Sequence, residues 1–359
     1  MLQTAQRHLQ QNNPQQALPL LEALTRRLGK HAGVWFLTGA AEFQLGRLER
    51  AEKAFAAATA ANPGYAEAYN NLGIVRQALD KTEDAEQAFA KATALKPDYA
   101  EAWFNRGSLH HARQGLTEAA ADYRRALELA PAHTKAANNL GLALLGMGRD
   151  EEAIEVFEAA LGRQQGDPEL WINYGLALHR GRRSQAAVDA LQRALALDPR
   201  RAEAHNNLGL ARQAQGREQE ALDSYRQARA LKPDYAEAEH NQALVHLARG
   251  ELDQAWPLYR ARPSRRALAG RGLADQLPLT ELRGARILLE RDQGLGDELM
   301  FLRFAEALKA RGAWLAYRPG AKLASLARRL PTLDVVVEED ASIDVDYTVS
   351  VGDLPLVVG

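Results

Sequence analysis

Cysteine is absent from all 359 residues, which excludes disulfides, a thiol nucleophile and thiolate-held zinc. Aromatic residues are scarce, at 6%. Neither sign of charge is in surplus: 45 Lys and Arg face 46 Asp and Glu, a formal net charge of −1. That balance excludes a chain that is strongly basic as a whole, although a local patch for nucleic acid survives such averaging. Long apolar runs are missing too. No stretch approaches the ~18 residues of a membrane span, and the opening Met1-Leu2-Gln3-Thr4-Ala5-Gln6-Arg7 lacks the apolar core of a signal peptide. What is present is 46% hydrophobic and 25% charged residues, a globular rather than disordered balance, over a length sufficient for two or three domains. The expected location is cytoplasmic.

Self-comparison organises most of the chain. Glycine recurs every 34 residues at Gly39, Gly73, Gly107, Gly141, Gly175 and Gly209, with Ala243 at the next step. Twelve residues after each comes Ala51, Ala85, Ala119, Ala153, Ala187, Ala221 or Ala255, and four later a large side chain: Phe55, Phe89, Tyr123, Phe157, Leu191, Tyr225 or Tyr259. Pro63, Pro97, Pro131, Pro199 and Pro233 close most units, and the fourth boundary is irregular, with Gln165 in register and Pro168 displaced. Each unit resembles the tetratricopeptide repeat, a pair of antiparallel helices. Small residues let the two helices approach closely, the large residue fills the space between hairpins, turn glycines such as Gly46, Gly148, Gly216 and Gly250 end first helices, and the prolines are expected at the start of the following helix. A partial unit over 1–31 and seven repeats from 32 to 262 are predicted, stacked as an all-α superhelical solenoid with a concave face.

Two residues before each glycine stands Asn71, Asn105, Asn139, Asn173, Asn207 or Asn241, and only Leu37 departs. An asparagine side chain both donates and accepts, so such a ladder suits the peptide units of an extended polypeptide. The alternative is a local bond between helices. The ladder resembles the one lining the repeat superhelix of the eukaryotic O-linked N-acetylglucosamine transferases, which implies that it holds a protein substrate through its backbone. The residues just before the ladder, Phe36, Asn70, Phe104, Asn138, Ile172, Asn206 and His240, are half apolar and half polar. Glu67, Glu101, Glu169, Glu203 and Glu237 (Lys135 once) fall in first turns, where the helix dipole favours negative charge; facing a groove, they favour a basic or neutral peptide. Residues 1–262 carry 32 positive and 32 negative side chains, no surplus for a phosphate backbone, and none of the nine histidines forms a metal-binding pattern.

After Tyr259 the periodicity fails, because Arg262 and Pro263 stand where a repeat wants a small residue and helix. A linker over 263–284, with Pro263, Gly270, Gly272 and Pro278, leads into strand–helix alternation over 285–359: strands at 286–290, 314–317, 335–337 and 347–351, and helices at 298–310 and 321–330. Met300, Phe301, Phe304 and Leu308 mark the apolar side of the first helix. The pattern predicts a small, incomplete α/β, Rossmann-like domain with a parallel sheet. Its first strand–helix junction holds Gln293, Gly294 and Gly296, a turn that permits close backbone approach, then Asp297, either a helix cap or a general base.

That junction, Gln293-Gly294-Leu295-Gly296-Asp297 followed by Phe301-Leu302-Arg303, is similar to a segment of bacterial repeat proteins with a C-terminal glycosyltransferase-like domain. Trp256-Pro257-Leu258-Tyr259-Arg260-Ala261-Arg262 matches the same family, as does Asp353-Leu354-Pro355, where the family more often has Ser-Leu-Pro. More distantly the Gly-Asp pair resembles that of the heptosyltransferases, whose two-lobed (GT-B) fold implies a catalytic-base role for Asp297. No cofactor is expected in this chain; a nucleotide sugar, UDP- or ADP-linked, is implied only by the transferase reading. The chain stops at Gly359, inside a first lobe, so a free-standing enzyme is not expected. The expected function is a scaffold that binds an extended polypeptide in the concave groove, with a glycosyltransferase-like half-lobe attached. The alternative is a protein or glycan O-glycosyltransferase completed elsewhere. Expected partners are a polypeptide and no nucleic acid or membrane, with self-association through solenoid ends or the unfinished sheet edge as a further expectation.

Overall fold

The computed structural model describes residues 1–268, 271–274, 277, 282–292 and 294–358. Gly270, Pro278 and Gln293 therefore lie outside the described residues. Eight helical hairpins occupy the repeat region: α1 (Leu2–Gln10) with α2 (Pro14–Leu28), α3 (Ala32–Gln44) with α4 (Leu48–Ala61), α5 (Ala66–Ala78) with α6 (Thr82–Leu95), and α7 (Ala100–Ala112) with α8 (Leu116–Leu129). Then come α9 (Thr134–Gly146) with α10 (Asp150–Leu161), α11 (Pro168–Arg180) with α12 (Ser184–Leu197), α13 (Ala202–Gln213) with α14 (Glu218–Leu231), and α15 (Ala236–Ala248) with α16 (Leu252–Tyr259). The chain divides into two compact units, Met1–Leu197 and Asp198–Gly359. The first is an all-α stack of repeats. The second joins two more repeats to a small α/β region. Among the described residues no helix is long and apolar enough to cross a membrane.

The repeated residues account for the hairpins. A Cβ on Gly73 would stand 2.6 Å from the Phe89 ring, and one on Gly175 2.5 Å from Leu191, so the large residue of each second helix lies on the glycine of the first. The turn after each first helix needs one left-handed residue. Gly46, Gly148, Gly216 and Gly250 supply it with φ of 71–73°, while Asp80, Gln114 and Arg182 are held there at 57–62°. The boundary prolines correct the expectation: Pro63 and its equivalents sit in the two-residue turn between hairpins, whereas Pro14, Pro168 and Pro263 occupy first helical positions. At the irregular fourth boundary Arg163 replaces the leucine found at Leu95, Leu129, Leu197 and Leu231, and a hollow of 360 Å³ opens between α8 and α10.

First helices of successive repeats touch one another, α5 with α7, α7 with α9 and α9 with α11 in the first unit, α13 with α15 in the second. Within each unit they therefore form the inner side of the stack.

The α/β region contains α17 (Pro263–Arg266), β1 (Arg286–Glu290), α18 (Leu295–Leu302), α19 (Ala305–Ala310), β2 (Trp314–Arg318), α20 (Ala324–Ala327), β3 (Val335–Val336) and β4 (Tyr347–Ser350). A 3-10 turn, Val351–Asp353, and α21 (Leu354–Val358) follow. All pairings are parallel and the order is β3-β2-β1-β4, with Ile287 opposite Leu315 and Leu288 opposite Thr348. β1 lies inside the sheet between β2 and β4, with Ile287, Leu288, Leu289 and Glu290 buried. The helix expected over 298–310 breaks at Arg303 into α18 and α19, and Met300 is 46% exposed while Phe301 and Leu308 are buried. The helix expected over 321–330 shrinks to the four residues of α20.

One core serves the sheet and the final repeat. Ala243 and Tyr259 belong to the same apolar cluster as Ile287, Leu289, Phe301, Leu315 and Leu354. Ring centroids lie 6.2 Å apart for Trp256 and Phe301 and 6.1 Å for Tyr259 and Phe301. Such aromatic pairs contribute ~1 kcal/mol beyond burial. In the preceding repeat α15 covers the equivalent face of α14, and here α18 does so.

Candidate functional site

All six ladder asparagines are half-buried on first helices. Three donate Nδ2 across a repeat boundary to an asparagine 35 residues earlier: Asn105 to Oδ1 of Asn70 at 3.0 Å, Asn173 to Asn138 at 2.7 Å and Asn241 to Asn206 at 3.0 Å. The other three bond differently. Asn139 donates to the Tyr123 hydroxyl at 3.3 Å, and Asn71 and Asn207 accept from Asn70 and Asn206 at 3.4 Å. An asparagine side chain has two N–H groups and an oxygen with two lone pairs, and each bond above uses one of these sites.

The alternation has a period of two repeats. α5, α9 and α13 carry Asn-Asn, while α3, α7, α11 and α15 place Phe36, Phe104, Ile172 and His240 before the ladder position. Phe36 stacks on Tyr65 beyond the repeat boundary with centroids 5.0 Å apart, and Phe104 on His133 at 4.7 Å, whereas His240 packs within its own hairpin on Tyr259 at 5.6 Å. Trp35, Trp103 and Trp171 share this 68-residue spacing, each donating its indole N–H to the carbonyl six residues earlier at 2.8–3.0 Å. In the first unit, the ring contacts at the α3–α5 and α7–α9 boundaries therefore alternate with the amide bonds at the α5–α7 and α9–α11 boundaries. The pairing is not evident in the mixed series Phe36, Asn70, Phe104, Asn138 taken residue by residue, and the alternation itself is its only sequence signal.

Beside Asn71 lies a cavity of 160 Å³ lined by Ala40, Phe43, Phe55, Ile74 and Val75, with Gln44 at its edge. The glutamates do lie in first turns. Glu67 binds Lys96 at 2.8 Å, which holds its carboxyl below the usual range. Burial pulls the His179 imidazole down, and at His240 burial and then the Arg262 charge act in the same direction. Among the described residues, no group of three or more His, Asp and Glu gathers as for a metal ion.

At the carboxyl end of β1 the geometry separates the glycine turn from the charged groups. Gly294 precedes α18 as its cap residue with φ −68°, and Asp297 is the third residue of the helix rather than its cap, exposed and near Gly294. Its neighbour Glu298 is the buried carboxylate, bonded to the Tyr317 hydroxyl, and burial with that bond pushes the Tyr317 phenol upward. Glu290 is buried against Arg318 and Arg271. Arg262, the residue that broke the repeat pattern, is buried among Asp292, Ser350 and Asp353. None of Glu290, Glu298, Asp292, Ser350 and Asp353 stood out in the sequence as a charged centre. Asp353, at the point where the chain departs from the transferase-like pattern, is one member of this cluster.

A family model described as tetratricopeptide repeat matches residues 2–66, 70–134, 115–168 and 138–202, and a second of the same description matches 202–235. No curated protein matches the sequence. Among solved structures, a tetratricopeptide repeat protein from Parabacteroides merdae is similar with a TM-score of 0.53 and 16% identity, over 64% of this chain and 91% of that one. The pilF protein of Pseudomonas aeruginosa gives 0.51 and 22%, over 59% of this chain and 97% of its own. A chain of the APC/C hetero-tetramer Cut9–Hcn1 gives 0.50 and 17%, over 67% of this chain and 48% of that one. At these identities the likeness is one of fold. With the repeat model matching more than half of its length, the chain belongs to the tetratricopeptide repeat family.

Proposed function

We propose that this chain is a scaffold that binds an extended polypeptide along the first helices of its repeats. The observation that carries the reading is the ladder: Asn71, Asn105, Asn139 and Asn173 in the first unit and Asn207 and Asn241 in the second, half-buried and with amide groups left over after their local bonds. A peptide backbone offers one donor and one acceptor per residue, which is what such side chains complement. The cavity beside Asn71 suits one apolar side chain of that peptide, and first-turn glutamates favour a neutral or basic one. Residues 1–262 serve as the binding array in this reading, and 285–359 as its companion.

The test is calorimetric titration with 15-residue peptides selected from an array of neutral and basic sequences. Binding in the micromolar range, about −8 kcal/mol, that weakens when Asn139 and Asn173 are both changed to alanine supports the reading; unchanged binding in that double variant sinks the backbone grip.

The transferase reading rests on the run from Gln293 to Asp297. It requires a nucleotide sugar to bind, and titration of UDP- and ADP-sugars against the folded chain tests it. Transfer that Asp297→Asn abolishes without unfolding the protein would move it to the front.

A further inference from the structure

The sheet order reverses at β1: the chain steps from β1 to β2 and β3 on one side and returns with β4 on the other. In open parallel sheets, the crevice outside the carboxyl ends of the strands flanking such a reversal is where ligands settle. Asp292 follows β1 by two residues, and Ser350 with the turn to Asp353 ends β4. Their polar groups converge on the guanidinium of Arg262, which enters from the turn after α16.

The fit is complete. Nη1 donates to Asp353 Oδ1 at 2.6 Å and to the Tyr259 carbonyl at 3.2 Å. Nη2 donates to Ser350 Oγ at 2.8 Å and to Asp292 Oδ2, and Nε lies 3.4 Å from Asp292 Oδ1. These bonds match the five N–H groups of a guanidinium. The Tyr259 ring lies 5.0 Å from its carbon, and Arg265 adds a bond to the other Asp353 oxygen at 2.7 Å. A Cβ on Gly352 would stand 2.7 Å from Nη2 of Arg262 and 2.8 Å from Oδ2 of Asp292, so the crevice accepts its guest only with glycine there.

We propose that this crevice is a guanidinium receptor, filled by the chain's own Arg262, and that the contact fixes the α/β region on the last repeat. A cation of another shape cannot take the place, because an ammonium is a point charge with three donors. A nucleotide diphosphate is the wrong guest as well: the groups facing it would be the buried carboxylates of Asp292 and Asp353. The site at which an α/β sheet ordinarily receives a ligand is thus closed by a side chain from the repeat array.

The full chain carrying Arg262→Ala tests this by thermal unfolding. Its Tm should fall below that of the parent, and guanidinium chloride at ~10 mM should raise it by a few degrees, whereas equal sodium or ammonium chloride should not. The same salt should leave the parent unchanged. Arg262→Lys should stay near the alanine variant. If Arg262→Ala is unfolded from the start, the readout becomes recovery of helical circular dichroism on adding guanidinium. The proposal is overturned if guanidinium acts no differently from sodium in either readout, or if Arg262→Lys is as stable as the parent. Saturable UDP binding to the parent that Arg262→Ala abolishes also overturns it, since Arg262 would then hold a phosphate.

Discussion

Asn173 donates its side-chain amide to Asn138 across 2.7 Å and a repeat boundary. Asn138 thereby sets the orientation of a residue that the proposed function places against a peptide. Changing Asn138 to alanine should weaken peptide binding nearly as much as changing Asn173, with a coupling between the two of about 1 kcal/mol in a double-mutant cycle. Asn138→Asp, which keeps the accepting oxygen, should bind more tightly than Asn138→Ala. Additive effects of the two alanine changes, read by calorimetry, would dissociate the pair.

His240 offers a prediction about pH. Its imidazole is held low by burial and by Arg262, so the folded state binds fewer protons than the unfolded chain around the ordinary histidine value near 6.5. Stability is then complete above that value and is lost as pH falls through it, and His179 contributes with the same sign. Phenylalanine already occupies the equivalent place at Phe36 and Phe104. His240→Phe should therefore keep the stack on Tyr259 and flatten the Tm profile between about pH 7 and 5. An unaltered slope counts against the assignment.

Turn residues give a pair of opposite signs. Gln114 is held at φ 62°, where glycine stands in four sister turns. Gln114→Gly should raise stability by about 1 kcal/mol, the cost of the left-handed region for other residues. Gly73→Ala should lower it by about 1–3 kcal/mol, because the added methyl meets the Phe89 ring at 2.6 Å. Urea unfolding midpoints measure both.

The two neighbouring acids of α18 should separate cleanly. Tyr317→Phe removes the donor from the buried Glu298 carboxylate and should cost about 1–3 kcal/mol. Asp297→Asn, at an exposed position, should leave the midpoint within about 0.5 kcal/mol. Equal losses in the two variants would mean that Asp297 supports the fold.

The repeat array is legible in the sequence because its constraints are local and periodic. Gly73 and Phe89 meet within one hairpin, and the same steric demand is written again 34 residues on. The α/β strands are legible because parallel strands are continuous apolar runs, as in Ile287, Leu288 and Leu289. The buried charges escaped for the opposite reason. Arg262 and Asp353 are 91 residues apart in sequence and belong to no period, so nothing short of the folded chain brings them together. The split of the helix expected over 298–310 likewise depends on how Phe301 and Leu308 meet the sheet, and hydrophobic spacing alone does not encode that.

The alternation of amide and aromatic boundaries has a consequence for how an array like this can grow or shrink. Removing residues 134–167 alone would set Asn173 against Phe104, an amide donor against a ring, where Asn138 had been. Removing 100–167 instead brings Asn70 to Asn173 and restores an amide boundary of the kind already made between Asn70 and Asn105. Loss or gain of a pair of repeats therefore preserves the matched boundaries of the first unit, and loss or gain of a single repeat does not.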